Sequence, residues 1–189
     1  MSLPLSHWKD PRSTIACVHK DNDMAYATHG AIQSLKVLSF FDLKMTDFKN
    51  MTILDYGCGT GRIARPLTAL FKHVYAYDPV KECIALAETE CGSMKFHNLT
   101  LTTDLSNIPH VDLAFSVSVM EHLTDTDAII MMENLARLVK GDTVLWYSVA
   151  KNSKALSSFV SETEYKDQIV ANQVGEGHIQ LAKINFKHR

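Results

Sequence analysis

The feature that most constrains this chain is the stretch Ile53-Leu54-Asp55-Tyr56-Gly57-Cys58-Gly59-Thr60-Gly61-Arg62-Ile63-Ala64. An apolar run ends in an acid, three glycines follow at alternate positions, and a helical pattern then begins. That order predicts a buried strand, a tight turn and a helix. Glycine accepts backbone angles that a side chain forbids. It also lets a ligand lie directly on the backbone, beside the positive end of the next helix. A dinucleotide-phosphate turn usually reads G-x-G-x-x-G; here the order is G-x-G-x-G, with Asp55 two residues ahead of the first glycine. Such an acid repels a pyrophosphate and attracts an ammonium group.

The stretch resembles the first motif of the class I S-adenosylmethionine-dependent methyltransferases, the seven-stranded Rossmann-like family. The resemblance runs from about residue 45 to 186 and implies a three-layer α/β/α sandwich. Its sheet is expected to be mostly parallel and seven-stranded, with an antiparallel C-terminal hairpin. Residues 1–44 are then an N-terminal segment and helix covering the site, and residues 45–189 the methyltransferase domain. The cofactor implied is S-adenosyl-L-methionine, with Asp55, Gly57, Cys58, Gly59 and Gly61 around its amino-acid part.

Further along, Met51 to Asp55 reads as the first strand and Arg62 to about Phe71 as the first helix. Pro66 is tolerated only in a first turn, so that helix either begins late or is kinked. His73 to Asp78 is the second strand, ending in an acid 17 residues past Gly61. An acid at this place in nucleotide-binding sheets accepts hydrogen bonds from both ribose hydroxyls. The resemblance gives Asp78 that role, with Pro79 beside it; capping the next helix is a compatible second role. Val80 to Cys91 is helical, and Lys95 to Thr103 holds the third strand. By resemblance, Asp104 and Leu105 hold the adenine. Asp104 equally suits a turn closed by its own side chain.

Val111 to Leu123 is the second informative stretch, an apolar strand followed by Glu121-His122-Leu123. It resembles the fourth strand and following loop of methyltransferases that act on small molecules. On that basis Ser116, Val117 and Ser118 line the methionine end of the cofactor. His122 is the candidate catalytic base, because imidazole titrates near working pH; shaping the loop is the alternative. Glu121-His122 is also similar to a metal-binding Glu-x-x-Glu-His set, but Ser118 stands where its first glutamate belongs. A hard-cation site short of one carboxylate is weak, so no metal is expected.

The remaining elements follow from periodicity. Ala27, Ala31, Leu35, Leu38 and Phe41 recur at helical steps between Asp23 and Phe41. A prefix helix often covers the pocket in the resembled family, which makes Tyr26 and His29 candidate substrate contacts. Ala128 to Val139 is an amphipathic helix and Thr143 to Val149 the fifth strand. Ser153 to about Glu164 reads as helix, and Gln168 to Val174 and His178 to Phe186 as two strands around Gly175-Glu176-Gly177.

Composition limits the function. The 189 residues carry a formal net charge of -2 and no basic block, so a dedicated nucleic-acid binder is disfavoured. The fourth-strand loop also lacks the Asp/Asn-Pro-Pro-aromatic set that holds an extruded base. No apolar run is long enough to span a bilayer. The four cysteines form no C-x-x-C pair, consistent with free thiols in a reducing cytoplasm. The expectation is a cytoplasmic enzyme moving a methyl group to a small or modest-sized acceptor by in-line displacement. The alternative is a non-catalytic S-adenosylmethionine or S-adenosylhomocysteine-binding subunit that needs a partner protein.

Overall fold

The computed structural model describes residues 23–91, 96–148, 169–173 and 179–185. The chain divides into two compact units at Ile108 and Pro109. The expected helix at Ser153 to Glu164 and the turn Gly175-Glu176-Gly177 lie outside the described residues. The architecture is a Rossmann-like α/β fold.

In the first unit, β1 (Thr52–Tyr56), β2 (His73–Tyr77) and β3 (Leu99–Thr102) are parallel, with β2 in the middle. Ile53, Leu54, Val74 and Ala76 are fully buried, as parallel strands covered on both faces require. The register pairs Tyr56 with Tyr77 and Tyr77 with Thr102. All three strands therefore end at one level, and the segments beginning at Gly57, Asp78 and Thr103 leave the sheet side by side.

Helix α2 is four residues long, Ala64–Leu67. It begins later than the glycines imply. Pro66 is its third residue, within the first turn where proline is tolerated. The helix α3 (Lys81–Cys91) buries Ile84 and Ala87, as its pattern predicts.

Helix α1 (Asp23–Leu38) stops short of the expected Phe41; Leu38 and Phe41 are buried as their spacing implies, but the rest of the helix packs differently. Leu35 is 60% exposed, and Ala27 is also exposed. The buried face instead runs through Gly30, Ser34 and Val37. The reason is a close backbone approach: a Cβ on Gly30 would run into the Arg62 carbonyl oxygen, with Arg62 Cγ at 2.7 Å. The Ser34 hydroxyl lies 2.7 Å from the Gly30 carbonyl and 3.0 Å from the Ile63 carbonyl. Small residues thus clamp α1 to the segment that follows the glycine turn.

In the second unit, β4 (Leu113–Val117) and β5 (Asp142–Ser148) are parallel. Strand β7 (Ile179–Asn185) runs antiparallel to β5, and β6 (Ile169–Gln173) antiparallel to β7. Helix α4 spans Asp125–Leu138, starting earlier than Ala128. Thr124 is its N-cap: its hydroxyl oxygen accepts from the Asp127 N–H at 3.0 Å and donates to the Asp127 carboxylate at 2.7 Å. Met132, Leu135 and Val139 are buried, together with Ala128, Met131 and Ala136. Ile129 is only half-buried.

Candidate cofactor site

The aligned carboxyl ends of β1, β2 and β3 form the candidate site of the first unit. At the end of β1 the chain turns through Gly57, Gly59 and Gly61, with φ values of 81°, 55° and 73°. All three lie in the left-handed region that costs an L side chain about 1–2 kcal/mol. The turn is tied to β2, because the Gly57 and Cys58 N–H groups both donate to the Tyr77 carbonyl, at 2.8 and 2.9 Å. A Cβ on Gly61 would meet Ala87 at 3.6 Å and Leu101 at 3.8 Å, so this glycine allows close packing. A Cβ on Gly59 would meet nothing within 4 Å. That glycine faces open space.

Asp78 is buried and braces the turn. One carboxylate oxygen accepts from the Gly59 N–H at 2.9 Å and the other from the Val80 N–H at 2.9 Å. Burial pushes its carboxyl above the usual range, and the Val80 and Gly59 N–H groups oppose that shift. A carboxylate offers about four lone-pair sites. Two are used by the backbone, which leaves acceptor capacity on each oxygen. The bond to Val80 is a local turn bond rather than a cap of α3, whose first turn accepts through the Val80 carbonyl. Pro79 beside it is exposed.

Asp55 behaves differently. It is fully buried at the end of β1, and its Oδ2 has no hydrogen-bond partner among the described residues. Its carboxyl is pushed up to about 8 by burial, then by the neighbouring Asp78, with Arg62 opposing. An orphaned buried oxygen beside an open glycine is a demand for a donor. Cys58 is buried next to both acids, and burial followed by their negative charge drives its thiol well above the ordinary range. It remains a protonated thiol and no nucleophile.

Asp104 is exposed, at the mouth of the same edge. Its oxygens accept from the Ser106 N–H at 2.8 Å and the Ser106 hydroxyl at 2.7 Å, which hold its carboxyl below the usual range. The local turn foreseen as an alternative role is therefore present. Leu105, half-buried, opens the 3-10 turn Leu105–Asn107 that Asp104 caps.

Helix α1 brings Tyr26 and His29 to the glycine turn. The Tyr26 hydroxyl is hydrogen-bonded to the Thr60 hydroxyl. The guanidinium carbons of Arg62 and Arg65 lie 5.8 and 5.6 Å from its ring centroid. His29 Nδ1 is 3.1 Å from an Arg62 nitrogen. Burial raises the Tyr26 phenol, which stays neutral. Both residues named from sequence thus stand over the corner. Sequence reasoning misses Arg62. Its position next to the third glycine is visible there, but its side-chain direction depends on α1.

The second unit carries the other sequence-predicted residues. Ser116 and Val117 close β4, Ser118 follows, and Met120–His122 is a 3-10 turn. The Ser116 hydroxyl is buried without a partner among the described residues. Ser118 has φ 55° and is the only non-glycine residue with positive φ among those described. Val117, Ser118 and His122 are half-buried.

A parallel sheet, a glycine corner at the end of its first strand and an acid at the end of its second define a nucleotide-type binding edge. Residues 53–142 match the family described as a methyltransferase domain. Among curated relatives, the chain is 26% identical over 163 residues to a ubiquinone biosynthesis O-methyltransferase of Bradyrhizobium sp. strain ORS 278, covering 84% of this chain and 63% of the relative. It is 25% identical over 158 residues to the Pelagibacter ubique protein of the same name, covering 81% and 62%. The chain therefore spans less than two thirds of the length of these relatives. The fold also matches the crystal structure of a magnesium protoporphyrin IX methyltransferase from Synechocystis with bound S-adenosylmethionine. There the TM-score is 0.64 and identity 15%, over 95% of this chain and 89% of that one. No helix among the described residues is long and apolar enough to cross a membrane.

Proposed function

We propose that this chain binds S-adenosylmethionine at the glycine corner and transfers its methyl group to an oxygen of a small acceptor molecule. The observation that carries the reading is a buried, unpartnered Asp55 Oδ2 at the end of β1, on the strand that leads into a glycine turn open at Gly59 and braced by Asp78, which retains free lone pairs. Asp55 would hold the ammonium of the cofactor's amino-acid part. Gly57, Cys58, Gly59 and Gly61 would leave room for that part against bare backbone. Asp78 would take the ribose hydroxyls, with Pro79 against the sugar edge. Asp104 and Leu105 would hold the adenine.

S-adenosylmethionine supplies a methyl carbon made electrophilic by its sulfonium sulfur. The protein then has mainly to align an acceptor behind that carbon, since positioning can account for much of the rate. Ser116, Val117 and Ser118 are proposed at the methionine end, and Tyr26 and His29 as the acceptor's cover. The names of the curated relatives motivate an oxygen acceptor. A hydroxyl must lose its proton in the reaction, which calls for a base. His122, five residues past the end of β4, is the residue proposed for that work. We extend the reading to a soluble, cytoplasmic setting without a metal.

Calorimetric titration is the direct test. S-adenosylmethionine and S-adenosylhomocysteine are expected to bind at micromolar concentrations, and a nicotinamide dinucleotide is not. With labelled cofactor and a panel of small hydroxylated aromatics, S-adenosylhomocysteine should accumulate with at least one acceptor. Failure of both sulfur nucleosides to bind at millimolar concentration would remove the proposal. Binding without turnover, restored only by a second protein, would favour a cofactor-holding subunit instead.

A further inference from the structure

Arg62 and Arg65 flank the same tyrosine yet differ in how they are satisfied. Arg65 pairs with the Glu90 carboxylate at 2.8 Å and also reaches the carbonyls of Gly61, Thr60 and Glu90 at 3.3–3.4 Å. Among the described residues Arg62 has no carboxylate within ion-pair distance, and the hydrogen bond its guanidinium makes is with the ring of His29. It is half-buried, and burial lowers its pKa despite the nearby Tyr26 and Asp55. A desolvated guanidinium without an anion is costly to keep, because its hydration is lost and nothing of opposite charge replaces it. Flexible long cations usually leave such a place for water. Here Gly30 abuts the Arg62 backbone, while Tyr26 and His29 hold its side chain.

We propose that Arg62 binds the α-carboxylate of the cofactor's amino-acid part, with Tyr26 and His29 positioning its guanidinium. This rests on the reading of the corner as an S-adenosylmethionine site. An α-amino acid carries its ammonium and its carboxylate on one carbon, so their protein partners must lie close together. Asp55 stands on the strand that leads into the glycine turn, and the Arg62 guanidinium lies 5.8 Å from the ring of Tyr26, whose hydroxyl is bonded to Thr60 next to Gly59. The planar guanidinium fork matches a carboxylate by two parallel hydrogen bonds. Asp55 and Arg62 then read the two poles of a zwitterion, which neither a plain nucleotide nor a nicotinamide dinucleotide presents. The corner thereby selects for an amino acid attached to the nucleoside.

Calorimetry with S-adenosylmethionine and its decarboxylated form tests this. Wild type should bind the decarboxylated form about 10- to 100-fold more weakly, the range for a lost charge-assisted pair. Arg62→Gln should weaken S-adenosylmethionine by a similar factor and leave the decarboxylated form within about threefold, since that ligand has no carboxylate to lose. Asp55→Asn should weaken both ligands alike. If Arg62→Gln does not fold, Arg62→Lys serves, with a several-fold loss expected only for the ligand bearing a carboxylate. Equal losses for both ligands in an Arg62 variant would make the residue merely structural and overturn the inference. If neither ligand binds wild type, the cofactor reading itself falls.

Discussion

The glycine corner and the end of β4 both force the chain through left-handed backbone, but they do so with different residues. At the corner three glycines take positive φ without a side chain. After β4 the same conformation falls on Ser118, at φ 55°. The first arrangement leaves the backbone without side chains at those positions. The second retains a hydroxyl in a strained position. Within the corner there is a parallel contrast. Asp78 is tied to two backbone N–H groups, whereas Asp55 keeps an oxygen without a donor.

These contrasts can be broken experimentally. The largest effect is expected for Gly59→Val, which fills the open face and places a β-branched residue at positive φ. Cofactor binding should fall by at least about 100-fold, while stability falls by only about 1–2 kcal/mol. Binding is read by calorimetry and stability by urea unfolding. A loss of stability without loss of binding would show that the open face holds no ligand.

Asp78→Ala comes next. It strands the Gly59 and Val80 N–H groups, and a buried unsatisfied donor costs about 1–3 kcal/mol. The variant should therefore lose both stability and affinity. Asp78→Asn, with one acceptor oxygen kept, should retain more of each. If alanine and asparagine behave alike, the two backbone bonds are not what Asp78 contributes.

Asp55 gives a pH dependence of opposite sign in the empty and bound protein. Its carboxyl lies at about 8 in the fold, above an ordinary 3.8. The folded chain then binds more protons than the unfolded chain between those values, so stability should fall as pH rises from about 4 to about 8. Asp55→Asn should flatten that slope in thermal unfolding. Cofactor binding wants the ionised acid, so affinity should rise with pH by up to about tenfold per unit, levelling above pH 8. An affinity independent of pH between 6 and 8 would detach Asp55 from the ligand's ammonium.

The smallest effect is Ser118→Gly. Relief of the left-handed strain should stabilise the chain by about 0.5–1 kcal/mol, once glycine's extra unfolded-state entropy is subtracted. Turnover should nevertheless fall if the hydroxyl serves the methionine end. A gain in stability with unchanged turnover would leave Ser118 a turn residue only.

Much of this molecule is legible in its amino-acid order. The run Ile53 to Asp55, the spacing of Gly57, Gly59 and Gly61 and the acid at Asp78 are local signals. They report strand burial, backbone angle and turn chemistry within a few residues of themselves. Helix limits are less legible. Residue Thr124 extends α4 towards the N-terminus through a cap, and Pro66 confines α2 to a single turn. In α1 the apolar spacing predicts the helix and the burial of Leu38 and Phe41 at its C-terminal end, but not the exposure of Ala27 and Leu35, because Gly30 and Ser34 select the contact through backbone closeness rather than hydrophobicity.

The sequence alone determined the α/β class, the place of the corner and the acids that edge it, since strand alternation and glycine turns are written in neighbouring residues. Tertiary structure decided which of those acids is satisfied. Register aligned the ends of β1, β2 and β3, and only then could Asp78 reach Gly59 while Asp55 stayed without a donor. It also turned Arg62 toward Tyr26 and His29, a meeting of residues more than thirty positions apart that no local pattern encodes. The physical reason is that charge acquires its energetic meaning from burial and neighbours, and both are properties of the folded chain.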